Sequence, residues 1–160
     1  MKKVLALILS VVTVACLMGI SANAASYEEK IVSERTEYFS DGSSVVITVT
    51  EKITPATRAA AYSKSGSKTY TSKNSSGEIL WKFTLKGTFS VNSGVSATCT
   101  STSYSKSNLA DGWSLKSGSS YASGNQAIGD GTFQHKTLFV VTDTKSCHVV
   151  LKCDANGNLS

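Results

Sequence analysis

Hydrophobic and polar residues alternate along most of the chain. In residues 79–91 the odd positions are apolar except Gly87, and the even positions after Leu80 are Lys, Thr or Ser. Successive side chains of a β-strand point to opposite faces, so this stretch predicts a strand with one buried and one wet face. No stretch after residue 24 keeps a helical period. The pattern therefore predicts an all-β protein.

Turn signals divide the alternating stretches. Gly beside Ser, Asp or Asn suits the positive φ of tight hairpins, and such pairs occur at Asp41-Gly42, Ser76-Gly77, Ser93-Gly94 and Gly124-Asn125. Strands are predicted over 30–39, 44–53, 64–73, 78–92, 95–106, 112–122, 126–137 and 145–153. Strands at this spacing predict an antiparallel β-sandwich of immunoglobulin-like character with an additional N-terminal β-hairpin around Asp41-Gly42.

Strand parity predicts which residues face the core. Trp81 and Trp113 share the parity of the apolar residues, so both are expected to pack inside. The next strand has a second inward row of Val95, Ala97 and Cys99, with Thr98, Thr100 and Thr102 outward. Residues 64–73 have almost no apolar side chain and predict an edge strand. Gly129-Asp130-Gly131 interrupts its strand, as a β-bulge would.

Residues 1–24 have the features of a secretory signal. Lys2 and Lys3 precede an apolar run that ends near Cys16, and Ala22-Asn23-Ala24 matches a small-residue cleavage site. The run is shorter than the roughly 20 residues of a spanning helix. We therefore expect cleavage before Ala25, secretion, and no transmembrane segment in the product. The predicted organisation is a signal peptide over 1–24, the hairpin over 25–53, a linker over 54–62 and a β-sandwich domain over 63–160.

A lipoprotein is the alternative for the N-terminus. Thr13-Val14-Ala15-Cys16 loosely matches a bacterial lipobox, which would anchor the chain to a membrane through Cys16. Thr13 stands where that motif usually has Leu, and further apolar residues, Leu17, Met18 and Ile20, follow Cys16. We therefore prefer cleavage after Ala24.

Charge and composition limit the function classes. The chain has 16 basic and 11 acidic residues, and removal of Lys2 and Lys3 lowers its net charge from +5 to +3. The basic residues are not clustered as in nucleic-acid-binding proteins, so no nucleic-acid partner is expected. Two His and 11 acids leave few groups for acid and base catalysis.

Three cysteines remain after signal cleavage. Cys147 and Cys153 are six residues apart in one predicted strand, about 20 Å, which is too far for a disulfide. Any bridge therefore joins Cys99 to one of them, and we favour Cys99 with Cys153, leaving Cys147 as a buried thiol. Alternatively, all three are small core side chains.

Several short segments carry a resemblance to a protein family. They are residues 64–70, 74–81, 87–89, 97–100, Trp113, 123–125 and 151–157. Together they resemble an uncharacterised family of small secreted β-sandwich proteins from Gram-positive, often gut-dwelling bacteria, over about residues 60–160. The resemblance implies no activity to transfer. It implies cysteines near positions 99 and 153, which supports that pairing, whereas Cys147 departs from the family pattern.

No catalytic, cofactor or metal site emerges from the sequence. Cys147 and His148 are neighbours on a strand and point to opposite faces, so they cannot easily form a dyad. The acids that might act on a glycosidic bond across strands fall at or near predicted loops: Glu78, Asp111, Asp130 and Asp143. Asp154-Ala155-Asn156-Gly157-Asn158 resembles the start of a calcium loop, but Leu159 and the chain end at Ser160 favour an ordinary turn.

Binding is the function class that remains. Outward parity predicts Tyr70, Lys82, Lys86 and Tyr104 as ligand-facing, because a Tyr ring beside Lys can hold a sugar or an anionic polymer. A solvated face is the plainer alternative. We predict a secreted, non-enzymatic binding or surface-interaction module for a cell-wall polymer, glycan or host protein. The alternatives are a small secreted inhibitor or bacteriocin-like antagonist and, third, a glycan hydrolase.

Overall fold

The computed structural model describes residues 28–53 and 60–160, which form eight β-strands and no helix. The strands are β1 (Glu29–Tyr38), β2 (Ser44–Lys52), β3 (Ala61–Lys73), β4 (Ile79–Asn92), β5 (Ser96–Ser107), β6 (Trp113–Ser123), β7 (Gln126–Thr137) and β8 (Val140–Lys152). The predicted signal peptide lies outside the described residues, as do residues 54–59 of the predicted linker. Ala61 and Tyr62, the end of that linker, begin β3.

The strands form two antiparallel sheets that pack face to face. The larger sheet has the order β1-β2-β3-β4-β5, and the smaller one has the order β6-β7-β8. The predicted all-β sandwich is thereby confirmed. Neighbouring strands follow chain order in both sheets, so the protein shares the two-layer form of immunoglobulin domains but has a meander in place of their Greek-key connections.

The N-terminal hairpin is part of the larger sheet. β1 and β2 pair around the turn at Asp41-Gly42, and β2 also pairs with β3 from Ser44↔Lys73 to Glu51↔Gly66. The prediction of β3 as an edge strand is therefore wrong. Hydroxyl pairs across the strands explain why so polar a strand lies inside a sheet: Thr50 Oγ1 and Ser67 Oγ are 2.7 Å apart, and Thr69 Oγ1 and Thr84 Oγ1 are 3.0 Å apart.

The core lies between the inner faces of the two sheets. β4 contributes alternate buried residues, as its parity predicts, and β7 and β8 supply the opposing layer. The indole of Trp81 stacks on the phenyl ring of Phe133 with centroids 4.0 Å apart, and Phe83 meets Phe133 edge-on. Full burial of such a side chain contributes roughly 1.5–3 kcal/mol, so these aromatic contacts fix how the sheets face each other. Trp113 packs against the same cluster and is half-buried.

The glycines of β7 serve close packing of the sheets. A Cβ at Gly129 would lie 2.9 Å from Leu85 Cδ1, and one at Gly131 would lie 2.8 Å from Phe83 Cδ2. The pairing of β7 with β6 and β8 is regular through Gly129-Asp130-Gly131. The predicted bulge at this segment is therefore wrong, and the glycines instead admit the large side chains of β4.

A bulge in β5 reverses its strand parity. Phe89 pairs with Cys99 and Thr88 pairs with Ser101, so Thr100 is the extra residue. Cys99 faces the core as predicted, but after the bulge the even positions face inward. Tyr104, predicted to be outward, stacks on Phe83 with ring centroids 5.4 Å apart. Val95, predicted to be inward, lies in the β4–β5 turn and is 72% exposed.

Candidate functional site

One end of the sandwich gathers four connections between strands, at residues 39–43, 74–78, 108–112 and 138–139. The Lys136 N–H donates to the Gly112 carbonyl oxygen at 2.9 Å, which joins the end of β7 to the β5–β6 connection. Lys145 Nζ lies 3.8 Å from Asp41 Oδ2, which links β8 to the β1–β2 turn. Because loops held by a rigid scaffold commonly carry binding residues, this end of the sandwich is a candidate position for a site.

A cleft of about 460 Å³ opens at this end between the β1–β2 turn and β8. We call it the end cleft, and it is lined by Glu37, Phe39, Ser40, Asp41, Ser43, Val45, Tyr70, Ser72, Trp81, Lys145, Ser146, Cys147 and His148. Its size lies within the range of small-ligand sites, about 300–1,000 Å³. Three aromatic side chains and Val45 line it together with four serines and the charged Glu37, Asp41 and Lys145, so apolar and hydrogen-bonding groups share its walls.

Asp41, one of the charged residues of the end cleft, is held in place by hydrogen bonds within the β1–β2 turn. Asp41 Oδ1 accepts hydrogen bonds from the Ser43 hydroxyl and the Ser43 N–H, at 2.5 and 2.9 Å. These bonds, aided by Lys145, hold the pKa of Asp41 below its usual value. Asp41 is therefore an anion at neutral pH, facing the Lys145 cation of the opposite sheet. Glu37, beside them, pairs with Arg35 at 3.0 Å.

The inner wall of the end cleft carries two aromatic side chains. Tyr70 lies opposite Phe83 and Ile47 in the strand register, on the inner face. Burial raises its pKa, and the negative charge of Glu37 raises it further. Trp81, on the neighbouring strand, is 2% exposed, and its Nε1 is a buried donor without a hydrogen-bond partner. Tyr70 was predicted to be an exposed residue of the outer face, and that orientation is wrong, although the residue does line a cavity.

The other three predicted ligand-facing residues do not join Tyr70. Lys82 and Lys86 lie on the outer face of the larger sheet, as predicted, and Lys86 lines a smaller cavity of about 220 Å³ there with Ser, Thr, Glu29 and Lys52 side chains. Tyr104 lies on the inner face over Phe83. The predicted set is therefore divided between the two faces, because Tyr70 pairs with inward residues and the Thr100 bulge reverses β5.

The three cysteines among the described residues, Cys99, Cys147 and Cys153, are free thiols. The predicted Cys99–Cys153 disulfide is not formed, although the two residues flank the same turn: the Cys99 N–H donates to the Gly124 carbonyl and the Cys153 N–H to the Asn125 carbonyl. The Cys99 thiol is directed at the Ser101 carbonyl, 3.6 Å away, and the Cys153 thiol at the Asp154 carbonyl, 3.5 Å away. The alternative of three buried core side chains describes what the structure shows.

Burial also makes these thiols poor nucleophiles. It raises the pKa of Cys147 to about 12 and that of Cys153 to about 11, and it raises the pKa of Cys99 as well. The thiolate is the reactive form of cysteine. Cys147 therefore contributes a protonated, compact side chain to the wall of the end cleft at neutral pH.

The sequence did not reveal a His–Asp pair on the outer face of the smaller sheet. His148 Nδ1 and Asp130 Oδ1 are 2.7 Å apart, and Ser119 follows Asp130 in the register on the next strand. Cys147 and His148 face opposite sides, as predicted. Asp130 therefore lies between Ser119 and His148. Activation of a serine nucleophile requires instead that the imidazole lie next to the hydroxyl group. The only sequence signal for the His148–Asp130 pair was that both residues occupy outward-facing strand positions. A single sequence does not show which residues pair across neighbouring strands.

The acids considered for glycosidic chemistry have separate neighbours. Asp130 bonds to His148, Glu78 accepts from the Asn74 side chain in the β3–β4 turn, and Asp143 lies opposite His135 in the register. Asp111 lies in the β5–β6 connection. Within residues 28–53 and 60–160, no group of three His, Cys, Asp or Glu side chains is placed to hold a metal ion.

The carboxylate of Asp154 is hydrogen-bonded to other residues of the C-terminal turn. Asp154 Oδ1 accepts from the backbone N–H groups of Asn156 and Asn158, both at 2.8 Å, and its Oδ2 accepts from the Asn158 side chain. These hydrogen bonds lower the pKa of Asp154. The segment that resembles a calcium loop in sequence is thus a hydrogen-bonded turn.

Comparisons with family models, with curated proteins and with solved structures found no match. Among the residues that the structure describes, no helix is long and apolar enough to cross a membrane.

Proposed function

We propose that this protein is a secreted, non-enzymatic binding module and that the end cleft holds its ligand, a saccharide unit of a wall polymer or glycan. The single observation that supports this most strongly is the cleft itself, about 460 Å³ in volume. A sugar presents an apolar face and several hydroxyl groups. Tyr70 and Phe39 offer apolar surface to that face, while Asp41 and Lys145 offer an acceptor and a donor.

The scarcity of reactive groups supports a binding role over catalysis. Cys147 is the thiol in the end cleft, and burial keeps it protonated. His148 lines the rim, but its Nδ1 is bonded to Asp130 on the outer face. Asp41 is held ionised, which suits a hydrogen-bond acceptor and does not suit a general acid.

The test is retention on a panel of purified wall polymers and host glycans, at low and moderate salt, followed by calorimetric titration with the retained sugar. Lys145→Ala, which removes the donor, and Phe39→Ala, which removes apolar surface from the end cleft, should each weaken binding about tenfold, or about 1.4 kcal/mol. Lys82→Ala and Lys86→Ala, on the outer face of the larger sheet, are the matched controls and should leave the affinity unchanged.

The results test the location of the binding site and the glycan-binding function separately. Loss of binding in the Lys82 and Lys86 variants, with normal binding in the cleft variants, would transfer the site to the outer face and refute the cleft. Retention by none of the polymers would count against a glycan-binding role altogether.

A secreted inhibitor or antagonist is the second candidate. It is favoured by the β7–β8 turn, where Leu138 and Phe139 project from the domain at 88% and 99% exposure. Protease inhibition or killing of target cells by the chain from Ala25 onward, without retention on any polymer, would support this candidate and reject the first.

A further inference from the structure

The β7–β8 turn carries four consecutive apolar residues into solvent. Thr137 pairs with Val140, so Leu138 and Phe139 alone form the loop of the hairpin. Val140 and Val141 continue the exposed run, and the next pair down the hairpin is Lys136 with Val141. We call residues 138–141 the apex.

The backbone of the apex adopts a conformation that its residues disfavour. Leu138 has φ 47° and Phe139 has φ 70°. Two-residue hairpin loops with positive φ at both positions are normally Asn-Gly or Asp-Gly. Large side chains are uncommon there, and a backbone held in such a conformation indicates a functional requirement when folding does not explain it. Burial in the core does not explain why large apolar residues occupy this turn, because Phe139 is almost completely exposed.

The shape and size of the apex indicate what it contacts. A specific protein interface buries about 800 Å² on each partner, over roughly 20–30 residues. The apex is a single convex turn, and the residues behind it on both strands are polar: Lys136, Thr137, Thr142 and Asp143. A protein partner would need a pocket matched to this turn, whereas a lipid bilayer accepts a convex apolar group without a complementary surface.

We propose that the apex inserts Leu138 and Phe139 into the interface of a lipid bilayer. The dimensions agree with this. Two to three residues separate Val141 from the tip, which is roughly 7–10 Å at the rise of a strand. Amphipathic helices that lie in the membrane interface bury their apolar face to a similar depth, about 5–10 Å into the headgroup and acyl boundary. Lys136, at the level of Val141, then reaches the headgroups with its ammonium while its methylene chain covers apolar surface.

The charges around the apex predict little dependence on anionic lipid. The residues around the apex include one cation, Lys136, and two anions, Asp143 on β8 and Asp111 in the adjoining β5–β6 connection, so no excess of positive charge surrounds it. Binding is therefore driven by the apolar side chains, and vesicles of phosphatidylcholine alone should suffice. Moderate salt should leave the affinity nearly unchanged, because exposed charges are what salt screens.

The test is co-sedimentation of the chain from Ala25 onward, which contains every described residue, with phosphatidylcholine vesicles prepared with and without phosphatidylglycerol. The double variant Leu138→Asn/Phe139→Gly supplies the residues that this turn prefers, so it should fold with a melting temperature at least as high as the parent chain. It should nevertheless bind vesicles at least about tenfold more weakly. Val95→Ser, which removes an exposed apolar residue from the β4–β5 turn, is the matched control and should bind as the parent does.

A fluorescent probe at the tip adds a second readout. Phe139→Trp should retain vesicle binding, and its additional emission should shift to the blue on mixing, as expected for an indole that enters the interface. Equal binding by the parent and the Leu138→Asn/Phe139→Gly variant would overturn the proposal, as would no binding to either vesicle. Self-association that depends on Phe139, without vesicle binding, would instead assign the apex to a contact between copies of this chain. The Lys145→Ala cleft variant should bind vesicles normally, so failure of the glycan proposal leaves this one standing.

Discussion

Trp81 of the larger sheet and Phe133 of the smaller sheet stack face to face, with ring centroids 4.0 Å apart and planes inclined by only 6°. The contact joins the two layers at the wall of the end cleft, since Trp81 also lines that cavity. Phe83 and Leu85 approach β7 beside this stack only because Gly131 and Gly129 leave room for them. The shape of the candidate site therefore depends on the packing of the core.

Truncation of Phe133 tests that dependence. Phe133→Ala leaves a cavity against Trp81 and should lower the free energy of unfolding by about 3–5 kcal/mol, measured by urea denaturation. Phe139→Ala is the matched control, since the same change at an exposed position should alter stability by less than about 0.5 kcal/mol. Similar losses in the two variants would show that the stack does not stabilise the sandwich.

Addition of a methyl group at Gly131 tests the contact between the sheets. The new Cβ in Gly131→Ala would lie 2.8 Å from Phe83 Cδ2 and 3.1 Å from Cys147 Sγ, both in the packed interior. Overpacking of this kind costs about 1–3 kcal/mol, and we expect a urea midpoint lower by a corresponding amount. Ser117→Ala, on the exposed face of the neighbouring strand, should unfold like the parent; an unchanged midpoint for Gly131→Ala would contradict the close packing.

Because the three thiols are buried, we expect them to react slowly with thiol reagents in the folded protein. Ellman's reagent should react slowly with the folded chain from Ala25 onward at pH about 8, because burial holds the thiols protonated. In denaturant, three thiols should react at once, those of Cys99, Cys147 and Cys153. Rapid reaction of the folded protein, or fewer than three thiols after unfolding, would contradict this arrangement.

The same burial makes the fold sensitive to alkali. Burial raises the pKa of Cys147 in the folded protein to about 12, against an ordinary value of 9.0. The unfolded chain therefore loses this proton first, so the contribution to stability is complete below pH 9 and is lost as the pH rises towards 12. Cys147→Ala should make the urea midpoint fall less steeply with pH above 9. An identical pH profile for the variant and the parent would show that the sensitivity to alkali does not arise from Cys147.

The C-terminal turn should respond to acid through Asp154. Its pKa is lowered from 3.8 by hydrogen bonds from Asn158 and Asn156, so the turn is stabilised above 3.8 and loses that contribution as the pH falls through the lower folded value. The amide NMR signals of Asn156 and Asn158 should titrate with a midpoint below 3.8. Asp154→Asn should abolish that titration, whereas a midpoint at or above 3.8 would contradict the lowered pKa.

Much of the fold was predictable because alternation and turn residues act locally. The inward rows of β4 and β8 and the hairpin at Asp41-Gly42 follow from the two-residue period of a strand and from residues that accept positive φ. The same reasoning failed at Thr100, where one extra residue reverses parity and turns Tyr104 inward. It failed again at β3, whose polar side chains pair across strands inside the sheet.

The candidate site depended on contacts that no local pattern encodes. The end cleft combines Asp41, Tyr70, Trp81 and Lys145, which come from four separate elements. His148 and Asp130 meet only because β7 and β8 pair in one register. The sequence by itself determined the strands, most of their buried faces and the scarcity of catalytic groups. Only the tertiary structure decided which strands are neighbours and which side chains share a cavity, because register and sheet packing arise from contacts between residues far apart in the chain.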